Sequence, residues 1–185
     1  MTSEKQAEKL VSFFVCNKDP DIENFLKYKA IHFEKTGKSR TFFVYDEDCE
    51  EFEILGYFSL ALQVFKLPEK FSNRKILHLD GFSAKIHGKK ITEFPVILIG
   101  QIAKNEKYEK NITGNELMQF CLSTLFEGQT KLGGRIILLE CKDVPYLLQF
   151  YNKFGFQKLE RDYKTNDLLQ LIKVLQQDEI ISIER

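Results

Sequence analysis

FPVILIGQIAKNEKYEKNITGNELMQFCLSTLF, residues 94–126, reads as strand, turn and helix. Phe94 to Ala103 is almost continuously apolar, the pattern of a strand buried on both faces. Lys104 to Ile112 is polar and irregular. Thr113-Gly114-Asn115-Glu116 then has the spacing of a capping box, in which the Thr113 hydroxyl accepts from the Glu116 amide and the Glu116 side chain reaches back. Leu117, Met118, Phe120, Cys121, Leu122, Leu125 and Phe126 cover a broad helical face. A helix that starts just after a buried strand, with a glycine in its first turn, collects N–H groups that have no intrahelical partner. Such a terminus suits an anion, commonly a phosphate. An ordinary strand-loop-helix connection has the same pattern, so both readings stay open.

On either side of this stretch the chain alternates between the two periodicities. Leu10 to Cys16 (LVSFFVC) is predicted as a short first strand. Asn17, Asp19 and Pro20 mark a helix start, and Ile22, Phe25, Leu26, Ala30 and Phe33 recur at helical spacing up to Thr36-Gly37. Thr41 to Tyr45 and Ile54 to Phe65 are strands expected to pair antiparallel. Between them DEDCEEFE, residues 46–53, carries six acidic side chains. It has no glycine and no regular ligand spacing, so a solvated hairpin tip is expected there rather than a metal loop. Residues 67–93 carry turn signals at Asp80-Gly81 and His87-Gly88, and a small basic cluster of Lys85, His87, Lys89 and Lys90. After a turn at Gly133-Gly134, Arg135 to Cys141 is a buried strand. Val144 to Phe154 is a helix with Leu147, Tyr151 and Phe154 on one face, and Gly155 caps it. Phe156 to Glu160 and Leu168 to Leu175 supply the last strands. The order predicts a mixed α/β domain with a mostly antiparallel sheet.

Composition narrows the function. The 185 residues suffice for one domain with a sizeable core, and no repeat or linker divides them. Lys+Arg and Asp+Glu are 27 each, so the formal charge is zero, which argues against broad, non-specific nucleic-acid binding. Cys16, Cys49, Cys121 and Cys141 form no CxxC pair, and His32, His78 and His87 have no metal-ligand spacing, so buried free thiols and no metal are expected. No apolar run is long enough to span a bilayer, and MTSEKQAEKL lacks a signal-peptide core. A cytoplasmic, reduced protein is the expectation.

Two segments resemble the GCN5-related N-acetyltransferase (GNAT) family. One is the strand, loop and capped helix of residues 94–126. The other is Cys141-Lys142-Asp143 through FYNKFGF, residues 150–156, which is similar to the family's strand followed by a helix ending in FYxxxGF. The opening, residues 16–45 followed by LGYFSLAL, resembles the bacterial toxin-like acetyltransferases and their stand-alone relatives. The resemblance covers nearly the whole chain and implies a single acetyltransferase domain over residues 1–185. Its fold would be α/β (α+β), with a mixed, mostly antiparallel sheet, a splayed central strand pair and flanking helices.

The activity implied is acetyl-CoA-dependent N-acetylation of a primary amine, with acetyl-CoA as co-substrate. The family holds the coenzyme diphosphate with a loop of pattern Q/R-x-x-G-x-G/A, and the same register here is Glu109-Lys110-Asn111-Ile112-Thr113-Gly114. Only Gly114 fits. Glu109 is acidic, and Ile112 stands where a glycine would allow close backbone approach. The resemblance assigns cofactor binding to Glu109 through Asn115, with Lys107 and Lys110 adding charge, and to main-chain groups of Gln101, Ile102 and Ala103 for the pantetheine arm. Tyr151 matches the tyrosine that protonates the departing thiolate. No base for the incoming ammonium is evident, and Glu106 and Glu140 are candidates only because carboxylates occur near the family's site. An aminoacyl-tRNA acceptor and a homodimer are left open. Zero net charge counts against tRNA, although KTGKSR (residues 35–40) and the cluster at 85–90 could touch phosphates. The rival class is a non-catalytic interaction module whose altered loop no longer binds coenzyme.

Overall fold

The structure, a computed structural model, describes residues 4–47 and 52–175. In chain order the elements are α1 (Glu4–Ser12), α2 (Pro20–Tyr28), α3 (Ala30–Lys35), β1 (Arg40–Tyr45), β2 (Ile54–Lys66), α4 (Asn73–Asp80), β3 (Lys85–Ile86), β4 (Lys89–Lys90) and β5 (Glu93–Lys104). A 3₁₀ turn (Glu106–Tyr108), α5 (Gly114–Leu132), β6 (Ile136–Cys141), α6 (Pro145–Lys153), β7 (Gln157–Lys158) and β8 (Leu169–Val174) complete the order. The sheet is mixed and mostly antiparallel, as the sequence predicts. The chain divides into two compact units, one from residues 1–61 and 99–127, the other from 62–98 and 128–185.

In the first unit the strand order is β1-β2-β5. β1 and β2 pair antiparallel from Arg40↔Leu60 to Tyr45↔Ile54, with a register shift between Val44 and Tyr45. The acidic segment between them is a hairpin connection. Its residues 48–51, Cys49 included, lie outside the described residues. The core is Val11, Phe14, Cys16, Leu26, Ala30, Ile54 and Tyr57. Burying side chains of the size of Phe14 and Leu26 contributes about 1.5–3 kcal/mol each. The Tyr57 hydroxyl donates to the Ile22 carbonyl at 2.7 Å, so the polar end of this buried ring is satisfied.

The expected first strand is replaced by a helix. Residues 4–12 are helical and 14–16 belong to no helix or strand. Ala7, Leu10 and Val11 fall at i, i+3 and i+4 and put one stripe inward, with Val11 buried. The apolar run beginning at Leu10 spans the end of that helix and the buried Phe14 and Cys16 that follow it. The expected single helix over residues 20–36 is two, α2 and α3, broken at Lys29 (φ −122°, ψ −34°), with Pro20 in the first turn as predicted.

In the second unit the strand order is β2-β5-β6-β8-β7. β6 and β8 pair antiparallel from Ile136↔Val174 to Cys141↔Leu169, and β7 pairs antiparallel with β8. The core includes Phe65, Phe71, Ile76, Leu79, Phe94, Val96, Ile136 and Leu138. α4 is an element the sequence pattern hid. Its helical signal is two buried residues, Ile76 and Leu79, among charges, and it is held by end chemistry. The Ser72 hydroxyl accepts from the Lys75 amide at 3.3 Å, and the Arg135 Nε donates to the Leu79 carbonyl at 3.1 Å. Lys85, His87, Lys89 and Lys90 sit on the exposed β3–β4 hairpin, turned at His87-Gly88.

β5 has buried residues on both faces, as expected, but is not covered along its whole length. Phe94, Val96 and Ile99 are buried while Pro95 and Gly100 are exposed.

Candidate active site

The cofactor candidates fall in the first unit. Gln101, Ile102 and Ala103 end β5, and Glu109 to Asn115 lead into α5. The capping box forms: the Thr113 N–H donates to Glu116 Oε2 at 2.7 Å, and the Glu116 N–H donates to Thr113 Oγ1 at 3.2 Å. Phe120 lies on the outside of α5 at 51% exposure, whereas Leu117, Met118, Cys121, Leu125 and Phe126 are buried. Helix α5 is seated closely on the sheet. A Cβ on Gly56 of β2 would stand 3.0 Å from Leu117 Cδ1 and 3.2 Å from the Ala103 carbonyl oxygen, so glycine there lets the first turn approach the strand end.

The loop is closed by a lysine that sequence reasoning missed. Lys104 Nζ donates to the carbonyls of Glu109 and Ile112, both at 3.0 Å. Ile112 is only 4% exposed, so its side chain anchors the loop in the core. No residue from Glu109 to Gly114 has a positive φ. The glycine that the family pattern uses for backbone freedom is therefore not needed in this loop, and Ile112 is compatible with it. Asn105, 1% exposed, ties the strand end to its surroundings. Its Oδ1 accepts from Val15 and Lys107 amides at 3.2 and 3.1 Å, and its Nδ2 donates to the Ile54 carbonyl at 2.9 Å. The only local sign of this was an asparagine after the last strand residue.

The carboxylates around the loop are engaged. Glu106 accepts from the Lys18 N–H at 2.9 Å and from Asn17 Nδ2 at 3.0 Å, and the Lys18 bond holds its pKa below the usual range. Glu109 pairs with Lys18 Nζ at 2.8 Å, and that bond lowers its pKa. Glu116 is lowered by the Thr113 N–H, and Glu23 by the Cys16 N–H at 2.7 Å. A depressed folded pKa contributes stability that is present above the unfolded value, about 4.3 for Glu, and is lost as pH falls through the folded one. The melting temperature is therefore expected to fall as pH drops below about 4.3. A Glu23→Gln/Glu106→Gln variant should show a flatter acid limb, and an equally steep limb would refute the assignment.

The three described thiols are not poised for chemistry. Burial pushes Cys121 up to about 12 and Cys141 up to about 11, and raises Cys16. Among the described residues no three His, Cys, Asp or Glu side chains cluster as a metal site, and no helix is long and apolar enough to cross a membrane.

Tyr151 falls in the second unit, on α6. It is 8% exposed, edge-on to Phe150 (centroids 5.2 Å) and to Phe156 (6.1 Å). Its carbonyl accepts from the Phe154 and Phe156 amides at 3.0 and 3.2 Å, closing the helix end. Gly155 turns the chain there at φ +81°, and Lys173 Nζ of β8 lies 3.0 Å from where a Cβ on Gly155 would stand. Lys173 is itself buried, so its ammonium sits at the carbonyl end of α6, where the helix dipole favours a cation. Glu140, on exposed β6 surface, accepts from Gln170 Nε2 at 2.7 Å.

A cavity of about 600 Å³ in the first unit is lined by Leu10, Phe13, Phe52, Ile54, Asn105 and Tyr108 among others, and of the residues assigned to the cofactor it takes in Lys107 but none of Gln101 to Ala103 or Glu109 to Asn115.

No family model matches the chain, and no curated protein sequence matches it. Solved structures do. AtaT complexed with acetyl-methionyl-tRNAfMet is similar at a TM-score of 0.66 and 16% identity, covering 95% of this chain and 92% of that one. AtaTR bound with AcCoA is similar at 0.64 and 18%, covering 92% and 87%. A Tyr-to-Phe variant of KacT is similar at 0.64 and 19%, covering 94% and 89%. At these identities the likeness shows the fold: the chain has the GNAT fold of the toxin acetyltransferases AtaT and KacT.

Proposed function

We propose that residues 1–185 form one acetyltransferase domain that transfers the acetyl group of acetyl-CoA to a primary amine. The observation that carries this reading is the capped N-terminus of α5 at the end of β5, in a chain that shares its fold over 95% of its length with AtaT. A structure of AtaTR holds AcCoA, and one of AtaT holds acetyl-methionyl-tRNAfMet, so the amino group of an aminoacyl-tRNA is the acceptor we favour.

The residues present fit the coenzyme. The first-turn N–H groups of Gly114 and Asn115 have no intrahelical partner and would donate to a diphosphate. Lys104 engages the Glu109 and Ile112 carbonyls, and Lys107 and Lys110 add charge. Main-chain groups of Gln101 to Ala103 hold the pantetheine arm. Acetyl-CoA supplies a thioester carbonyl. The acceptor nitrogen attacks it, a strand N–H of β5 stabilises the developing oxyanion, and the carbon–sulfur bond breaks. Tyr151 gives its proton to the leaving thiolate; the acceptor ammonium loses one proton before attack, and its nitrogen loses a second as the amide forms, which restores the Tyr151 hydroxyl. Glu106 is a poor base for that proton because its hydrogen bonds favour the charged form.

Calorimetric titration with acetyl-CoA tests the reading. At one hundred times Kd, binding stabilises the fold by about 2.7 kcal/mol, roughly 5–10 °C in melting temperature. No heat and no shift at millimolar acetyl-CoA would leave the non-catalytic interaction module as the function.

Two substitutions at the helix end move affinity in opposite directions. Gly114→Asp adds a carboxylate facing the diphosphate and should weaken binding in a folded protein. Glu116→Gln keeps the capping box but removes an existing negative charge. It should tighten acetyl-CoA binding about three- to five-fold, the scale of a screened interaction across several ångströms. Unchanged Kd in both variants would place the diphosphate elsewhere.

A further inference from the structure

The zero net charge of the chain conceals a segregation. Among the described residues the second unit carries 15 Lys and Arg against 8 Asp and Glu, a net +7, while the first carries 11 against 13, a net −2. The excess gathers around a groove of about 520 Å³ between α4 and β7. Leu79 and Ile172 line it, with Arg74, Lys75, His78 and Lys158. All four basic residues are exposed. The cationic surface continues on both sides. Lys90 Nζ of the β3–β4 hairpin donates to the carbonyl of Phe71, which lines the groove, at 2.7 Å, and Lys85 and Lys89 of the same hairpin are exposed. Beyond β7, Lys158 Nζ and the Arg161 guanidinium both stand over the Tyr163 ring, 5.2 and 5.5 Å from its centroid.

Two carboxylates temper this surface, and each holds one lysine: Glu160 bonds Lys75, and Asp162 bonds Lys70 at 3.2 Å. Arg74 and His78 pair with no carboxylate among the described residues. They are four apart on α4, so their Cβ atoms are about 5–6 Å apart, the scale of successive phosphates along a nucleic-acid strand.

We propose that this α4–β7 face docks the phosphodiester backbone of an RNA, positioning an acceptor that is carried on it. The proposal rests on the aminoacyl-tRNA reading for its biological purpose, but the face binds or fails to bind RNA independently of catalysis. Such contacts position the ligand without reading its sequence. β7 follows α6 after a short turn at Gly155, so the face and Tyr151 belong to the same unit.

The test uses an unfractionated deacylated tRNA mixture, with filter binding measured across a salt series. Wild-type protein should bind with log Kd linear in log salt, at a slope of about 0.7 per phosphate contacted on a single strand. Arg74→Glu/Lys158→Glu should weaken binding about tenfold or more at low salt and reduce the slope by about 1–2. Hydrolysis of acetyl-CoA by the same variant should match wild type, which shows that it is folded. Poly-glutamate should compete far less well than tRNA. The proposal is overturned if wild type does not retain tRNA at low salt, if the variant binds it like wild type, or if poly-glutamate competes equally, which would make the face a site for an acidic protein. Loss of acetyl-CoA binding with RNA binding intact would refute the acetyltransferase reading and leave this one standing.

Discussion

Tyr151→Phe is expected to lower turnover by roughly 10²-fold, the lower end of what a positioned general acid contributes. The lower end applies because a coenzyme A thiol is already a fair leaving group. The substitution keeps the ring and its edge contacts with Phe150 and Phe156, which bury it at 8% exposure, and removes only the hydroxyl. Stability should therefore change by about 1 kcal/mol, the net worth of one hydrogen bond. Acetyl-CoA affinity should change much less than turnover. The competing account is that Tyr151 is a core residue of α6, and it predicts the same stability change with turnover intact. Steady-state kinetics with an amine acceptor, or with acetyl-CoA hydrolysis as a surrogate, separates the two. Wild-type turnover in the Phe variant would remove Tyr151 from the mechanism.

Gly155→Val should be the most destabilising of the substitutions considered. The residue sits at φ +81°, where an L side chain costs about 1–2 kcal/mol and a β-branched one more. The new Cβ would also stand 3.0 Å from Lys173 Nζ and push that ammonium off the carbonyl end of α6. Together the two effects predict a loss of about 2–3 kcal/mol, roughly 5–10 °C in melting temperature. Asparagine tolerates the left-handed conformation, so Gly155→Asn should lose less than half as much. Equal losses in both would mean that the crowding of Lys173, not the backbone, sets the cost. Because Tyr151 closes the same helix end through its carbonyl, the Val variant should lose turnover beyond its loss of folded protein.

Several parts of this structure were legible in local pattern. The capping box at Thr113–Glu116 uses four adjacent residues, and it forms with both predicted hydrogen bonds. The β1–β2 hairpin follows from two apolar runs and a short polar connection. α6 carries its start in Pro145 and its end in Gly155. Where the reading failed, the local pattern was ambiguous. An apolar run from Leu10 fits a strand, but α1 uses part of it and the core uses the rest. α4 has only two buried side chains, and its ends are held partly by Arg135, 56 residues away.

The sequence by itself determined the fold class, the strand-loop-helix that presents N–H groups at the end of β5, and the segment that places Tyr151 on a glycine-capped helix. These depend on periodicity and end signals within a turn or two of chain, and backbone hydrogen bonding makes such signals sufficient. Only the tertiary structure decided that Ile112 is an anchor, that Lys104 closes the loop over two carbonyls, and that Lys173 lies buried at the end of α6. It also decided that a neutral chain gathers its cations in one unit. Burial and charge distribution depend on which distant segments meet, and neither composition nor local spacing records that meeting.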